Sequence, residues 1–323
     1  MHSLSQGELE QLIQDVTRYE DLVPSMTADR ERKTRIVGSL LQGVPTAESR
    51  VLQLACGRLG YGFVDLGWDD ATTKSDEEII NESSLYSPVV DILVTGFVDR
   101  ETMGAGRATI ERIARTSTVP VLSLADELFA PQSALAMASS FWDHLDGLKG
   151  KRVSVCWGFG SKFVLPNSAH SLLLILATLG ADVVLAAPPD FPLLKRVIRD
   201  AEKRAEHSGS RCEISTDLQE SIEAADAVFA ANWCRLDDFN HPERNVDHAS
   251  HYRDWYFTDD TLLSDCLFMT EPPAQSDLLL DAKLEKSFRN LTDDWISKRV
   301  HALTASFKHV DRGQIGENQS NLI

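Results

Sequence analysis

The residues best suited to chemistry lie in one loop and in the turns around it. Residues 150–189, GKRVSVCWGFGSKFVLPNSAHSLLLILATLGADVVLAAPP, read as strand, loop, helix, strand. Arg152–Trp157 is an apolar run of the kind a parallel sheet buries on both faces. Gly158, Gly160 and Ser161 then free the backbone, Pro166 fixes φ, and Asn167-Ser168 stands where a helix N-cap belongs. A loop that leaves the carboxyl end of a strand and feeds a helix N-terminus is where α/β proteins hold ligands. The glycines do not follow G-x-G-x-x-G, so the spacing gives no dinucleotide fingerprint. Lys162 reads either as a cation for an anionic group or as an ordinary exposed loop lysine. Thr46-Ala47-Glu48-Ser49-Arg50 makes a second turn ahead of a helix. There Glu48 offers a carboxylate to an amine, or simply favours the helix macrodipole. Glu271 follows a buried strand and precedes two prolines, which aims it at a cleft. Two carboxylates facing one cleft would suit a guanidinium, an amine or general acid–base work.

The elements that must carry these residues alternate along the chain. An amphipathic helix is expected over 5–22, a charged helix over 27–41, and a helix closed by Gly60 after the Thr46 turn. Strand 62–66, helix 78–86, strand 89–94 ending at Thr95-Gly96, helix 108–115, strand 119–122 and a helix from Ala130 to about Leu145 complete the first set. After the central unit come helix 192–205, strand 211–215, helix 218–224, strand 227–231, strand 267–270 and helix 295–307. Two such sets, with a break near Gly147–Gly150, predict an α/β protein of two domains, each with a central, mainly parallel sheet flanked by helices. The expected bounds are 1–147 and 148–310, the last helix packing back on the first domain. A polar, flexible tail is expected over 311–323. The three histidines of 241–251 have no metal-pair spacing and read as a surface loop; His170 reads as a packed histidine, and Trp157 and Trp233 as core packing in preference to ligand platforms.

Composition narrows the function classes. The 323 residues carry 32 Lys+Arg against 49 Asp+Glu, a formal net charge of −17. That excess of acid argues against nucleic acid or an anionic membrane as partner, and it opposes binding of highly charged anions except beside local cations. No apolar run approaches a membrane span, and MHSLSQGELE lacks a signal-peptide apolar region. The five cysteines are scattered without C-x-x-C spacing. Reduced thiols in a cytoplasmic protein with no metal and no cofactor are the expectation.

With the elements placed, the chain resembles the aspartate/ornithine carbamoyltransferase family. LADELFAPQSALA matches its His-Pro-x-Gln turn and Ala-Leu-Ala helix, IEAADAVFAANW its Ala-Asp-x-Val strand ending in Trp, and Leu267–Pro273 its His-Cys-Leu-Pro segment. TAESRVLQLACGRLGYGFVDL lies where the family places its phosphate-binding Ser-Thr-Arg-Thr-Arg. The loop opened by Trp157 and closed by Leu165-Pro166-Asn167-Ser168 is most similar to the N-acetylornithine/N-succinylornithine branch, in which a proline-bearing loop is threaded into a knot. The resemblance implies a homotrimer in which a loop from a neighbouring subunit, here near Lys74-Ser75, reaches each active site.

Residue by residue, the resemblance implies a kept scaffold with altered polar groups. Thr46, Ser49 and Arg50 match the phosphate turn, but Glu48 replaces its middle arginine. The next arginine falls at Gly96, and the histidine and glutamine that hold the carbamoyl group fall at Ala130 and Ser133, with Gln132 adjacent. Asn167, His170-Ser171 and Asn232-Trp233 match the amino-acid side, with Ala231 in place of a lysine. Thr270-Glu271 replaces His-Cys, and Pro273 is retained. Carbamoyl transfer needs a clamp for a dianionic leaving group and donors at the carbonyl oxygen, one such donor supplying roughly 3 kcal/mol. The expectation is therefore a divergent carbamoyltransferase-family protein that passes a carbamoyl or related one-carbon group to the amine of an amino-acid-like substrate. Glu271 and Gln132 are its catalytic candidates; Thr46, Glu48, Ser49, Arg50, Ser133, Asn167, Asn232 and Trp233 are its binding candidates. The competing expectation is an inactive paralogue that binds a metabolite or supports a partner subunit.

Overall fold

The computed structural model describes residues 4–21, 23, 34–67, 75–160, 162–271 and 279–311. The expected flexible tail beyond Asp311, Ser161, Lys74, Pro273 and most of the charged stretch before Arg35 lie outside them. The chain forms two compact units, Met1–Ala136 with Lys298–Ile323, and Met137–Ser297.

In the first unit four parallel strands, β1 (Ile36–Gln42), β2 (Gly62–Asp65), β3 (Ile92–Phe97) and β4 (Val121–Ala125), lie in the order β2-β1-β3-β4. Leu40, Leu93, Phe97 and Val121 of the strands pack with Ile79, Ile80, Ile110 and Ile113 of helices Asp76–Tyr86 and Ala105–Thr116 into one core. Helix Gln6–Thr17 starts on a capping box between Ser5 and Glu8 and buries Leu9, Leu12, Ile13 and Val16, one face at helical spacing.

The second unit has five parallel strands, β5 (Arg152–Trp157), β6 (Asp182–Ala186), β7 (Cys212–Ser215), β8 (Ala227–Ala231) and β9 (Leu267–Thr270), in the order β7-β6-β5-β8-β9. Helix Asn167–Thr178 is buried at every position from Ser168 to Thr178, the wedged state its apolar sequence demands. Both sheets are parallel and flanked by helices, the expected fold class. The sequence runs outward from β5 to β6 and β7, then returns to β8 and β9 on the other side. The ends of β5 and β8 therefore flank a topological switch, where crossover loops part and leave a crevice.

Five local expectations need correction. The helix expected to 41 gives way to β1 over Ile36–Gln42, because IVGSLLQ is the inner strand that β2 and β3 both pair with. The strand expected at 89–94 is Ile92–Phe97; a 3-10 turn at Ser87–Val89 takes up Pro88 and delays pairing. The strand expected at 119–122 is likewise Val121–Ala125, since pairing with β3 begins at Leu93 opposite Val121. The helix expected from Pro192 starts at Lys195, since the Leu194 N–H donates to His170 Nε2 (3.2 Å). The expected histidine loop is helix Pro242–Ala249 and a 3-10 turn.

Candidate functional site

The second unit holds a recess at the carboxyl ends of β5, β8 and β9. It is lined by Gly160, Lys162, Val164, Asn232, Thr270, Glu271 and Leu279 and encloses about 300 Å³ including its open mouth. Three strands thus each contribute the loop that follows them, as the switch point requires.

The walls are tied together by backbone. Val164 N–H donates to Asn232 O (3.0 Å) and Cys234 N–H to Val164 O (2.9 Å), so the loop after β5 runs as a short parallel partner of the chain after β8. Gly158 and Gly160 make this approach possible: a Cβ would fall 2.3 Å from Leu279 Cδ1 at Gly158, and 2.7 Å from Asn232 Nδ2 at Gly160. Beneath lies an aromatic bed. The Trp157 indole N–H donates to Trp233 O (2.9 Å), the Trp233 indole N–H donates to Phe191 O (2.9 Å), and Trp157 stacks on Phe191 at 4.5 Å between centroids. Both tryptophans are fully buried with their donors used, so Trp233 supports the recess from below and takes no part in its lining.

The polar side chains of the recess are an amide, a hydroxyl that can accept or donate, a carboxylate and the Lys162 ammonium. Asn232 donates its amide N–H to Lys162 O (3.1 Å), which fixes the amide's orientation and leaves Oδ1 buried without a hydrogen-bond partner among the described residues. Thr270 Oγ1 is likewise buried and unpartnered among them. The Glu271 carboxylate accepts from Ser168 Oγ (2.9 Å), in the first turn of helix Asn167–Thr178, where the helix dipole also favours an anion. Asn167 is the first residue of that helix, one place later than a cap. Its Oδ1 accepts from Ser168 N–H (2.8 Å), so it serves the helix start.

In the first unit the expected residues are either exposed or paired within that unit. Thr46 begins helix Thr46–Leu59 and is exposed, like Arg50; Ser49 accepts from Gln53 Nε2 (3.3 Å). Glu48 is ion-paired with Arg299 of helix Thr292–Asp311, both side chains largely buried. Gln132 is buried and accepts from Ser306 Oγ (2.9 Å) of the same helix; Ser133, next to it, is half-buried. At Gly96 a Cβ would lie 3.1 Å from both Leu41 and Val44 side chains, so the space for a longer residue is filled. Ala130 is buried.

Comparison with known proteins places this geometry. Residues 164–309, which include Val164, Asn232, Thr270, Glu271 and Leu279 of the recess, match the aspartate/ornithine carbamoyltransferase Asp/Orn-binding domain. An anabolic ornithine carbamoyltransferase from Pyrococcus furiosus is 29% identical over 193 residues, covering 59% of this chain and 57% of that protein. The matched stretch thus spans little more than half of that relative. The ornithine carbamoyltransferase of Picrophilus torridus is 24% identical over 268 residues, covering 83% of this chain and 85% of its own. Residues 164–309 thus belong to the Asp/Orn-binding domain of that family, and similarity to ornithine carbamoyltransferases extends over 83% of the chain. Its fold is shared with a solved variant of N-acetyl-L-ornithine transcarbamylase complexed with carbamyl phosphate and N-succinyl-L-norvaline, at a TM-score of 0.81 and 19% identity over 96% of this chain and 98% of the other.

Within this fold, Asn232 and Glu271 both line the recess. Thr46, Glu48, Ser49, Arg50, Gln132 and Ser133 belong to the other unit. Sequence reasoning passed over the Thr270 side chain, which was considered only as a lost histidine, and Ser168, which orients Glu271. It also passed over Gln42, whose Oε1 is buried without a partner among the described residues, at the end of β1 and the first unit's own switch. The signal available was position: each stands at the end of a parallel strand or the start of the helix it feeds.

Proposed function

We propose that this protein is a carbamoyltransferase-family transferase that passes a carbamoyl or related one-carbon acyl group to the amine of an amino-acid-like substrate. The observation that carries the reading is the recess, with buried oxygens on Asn232 and Thr270 that have no partner among the described residues, beside Glu271, inside the domain that matches the family's amino-acid-binding half. The amine nitrogen would attack the acyl carbon, the bond from that carbon to the leaving group would break, and the amine proton would pass to the Glu271 carboxylate. The donor differs from the dianionic one the family uses. Three features support this: Glu48 is committed to Arg299, the Gly96 position has no room for an arginine, and Ala130 offers no hydrogen bond to an acyl oxygen. Gln132, already accepting from Ser306, serves to hold the last helix in place. We assign the protein to the cytoplasm, where its five cysteines stay reduced, and to the homotrimer its family resemblance implies.

A second reading, an inactive metabolite-binding paralogue, is favoured by those same internal pairs of Glu48 and Gln132. Calorimetric titration separates the two. Binding of an amine-bearing amino acid with no heat from carbamoyl phosphate is the expected result. Saturable carbamoyl phosphate binding would overturn the altered donor, and no binding by any amino acid would favour the inactive paralogue.

A further inference from the structure

Helix Lys195–Ser208 of the second unit carries its charges in an order that its own stability opposes. We infer that its outer face is a docking surface for an acidic peptide segment of a partner protein, held by Lys195, Arg196, Arg199 and Lys203. The inference goes beyond the transferase reading and does not rest on it.

The helix buries Val197, Ala201 and Ala205 on its inner side, and all four cations are exposed on the other. At about 3.6 residues per turn they fall within about 100° of arc and along about 12 Å of helix. Lys195 and Arg196 stand in the first turn, which holds no acidic residue, although the macrodipole disfavours cations there. Lys195 and Arg199, and again Arg199 and Lys203, are like charges four places apart, which repel across one turn. None of the four makes an ion pair or a side-chain hydrogen bond among the described residues. The nearest acids of the helix are turned aside: Asp200 and Glu202 stand at the two edges of the arc, where Asp200 acts on Arg204 and Glu202 on Cys212 of β7. Glu206 comes only in the last turn, beyond Lys203. The middle of the outer face from 195 to 203 thus presents cations alone, in a chain whose net charge is −17. A strip of about 12 Å is the reach of roughly four extended residues, and the forks of Arg196 and Arg199 can each take a carboxylate bidentately. Duplex nucleic acid or an anionic membrane is too broad for it: either would also cover Asp200, Glu202 and Glu206 and meet the repulsion of the whole molecule.

The probe is a fluorescently labelled octaglutamate peptide, titrated with the full-length protein and followed by anisotropy. Saturable binding is expected at about 20 mM sodium chloride, weakened at least tenfold at about 200 mM as screening sets in. Lys195→Glu and Arg199→Glu should each weaken the peptide at least fivefold at the lower salt. Arg115→Glu, a charge reversal on an exposed residue of the first unit, should leave its affinity within twofold. Lys195→Glu should also melt above the wild-type temperature, because it puts an acid in the first turn and turns one repulsion into an attraction. That rise separates loss of binding from loss of folding. Absence of saturable binding at the lower salt would overturn the docking surface, as would an equal loss in Arg115→Glu, which would make the effect one of net charge. Tighter binding of a short DNA duplex than of the peptide, lost in the same two variants, would overturn the acidic peptide as occupant.

Discussion

Asp126, directly after β4, is fully buried. Its Oδ1 accepts from the backbone N–H groups of Leu128 and Phe129 at 2.8 Å, and Arg107 lies 3.7 Å from Oδ2 while its guanidinium covers the Phe129 ring at 5.5 Å. Burial nevertheless outweighs these partners and raises its pKa from 3.8 to about 6. The folded state thus holds a proton here that the unfolded chain has released, so between about pH 4 and 6 this group lowers stability as pH rises, by about 3 kcal/mol in all. The Asp126→Asn variant keeps both backbone acceptances and should flatten that slope, which urea unfolding at a series of pH values would show; an unchanged slope would mean that another group carries it. Legibility at this scale was uneven. Glu271 was readable because a residue that ends a buried parallel strand has little choice of direction. Glu48 was not, since its partner Arg299 lies 251 positions away, and no local pattern announces a pairing of that separation.

At the scale of elements, the turn after β1 makes a sharp prediction. Gly43 has φ +73, and a Cβ there would lie 2.2 Å from Val98 O; Gly60 has φ +66 with open space around it. Gly60→Ala should therefore cost only the left-handed strain, about 1 kcal/mol. Gly43→Ala adds a backbone clash to the same strain and should cost about 3 kcal/mol or more. Comparing denaturation midpoints of the two variants checks the order, and equal losses would mean that Val98 moves aside. The same elements show which patterns were readable. β5, β8 and β9 fall on their expected residues because a short apolar run bounded by glycine, aspartate or proline leaves a central parallel strand as the favoured outcome. β1 was missed because its seven residues carry no alternation and follow a charged stretch, so its strand character comes from the partners on either side.

For the whole molecule, the charge of −17 sets the electrostatic background. Self-repulsion of that size should make salt stabilising: raising sodium chloride from about 10 mM to about 150 mM should raise the melting temperature, as the Debye length shortens from about 30 to about 8 Å. A fall instead would mean that exposed ion pairs such as Arg112–Glu77 outweigh the net charge. The ladder that joins Val164 to Asn232 and Cys234 has a different kind of consequence. It is made wholly of main-chain groups, and the tryptophans below it reach for carbonyls, not for the groups that face the recess. The architecture thereby leans on the side chains at 232, 270 and 271 only through the Asn232 Nδ2–Lys162 O and Ser168 Oγ–Glu271 hydrogen bonds. A lineage can exchange them one at a time and explore new acceptors without ever passing through an unfolded ancestor, which makes this corner of the molecule a place where selectivity is free to drift.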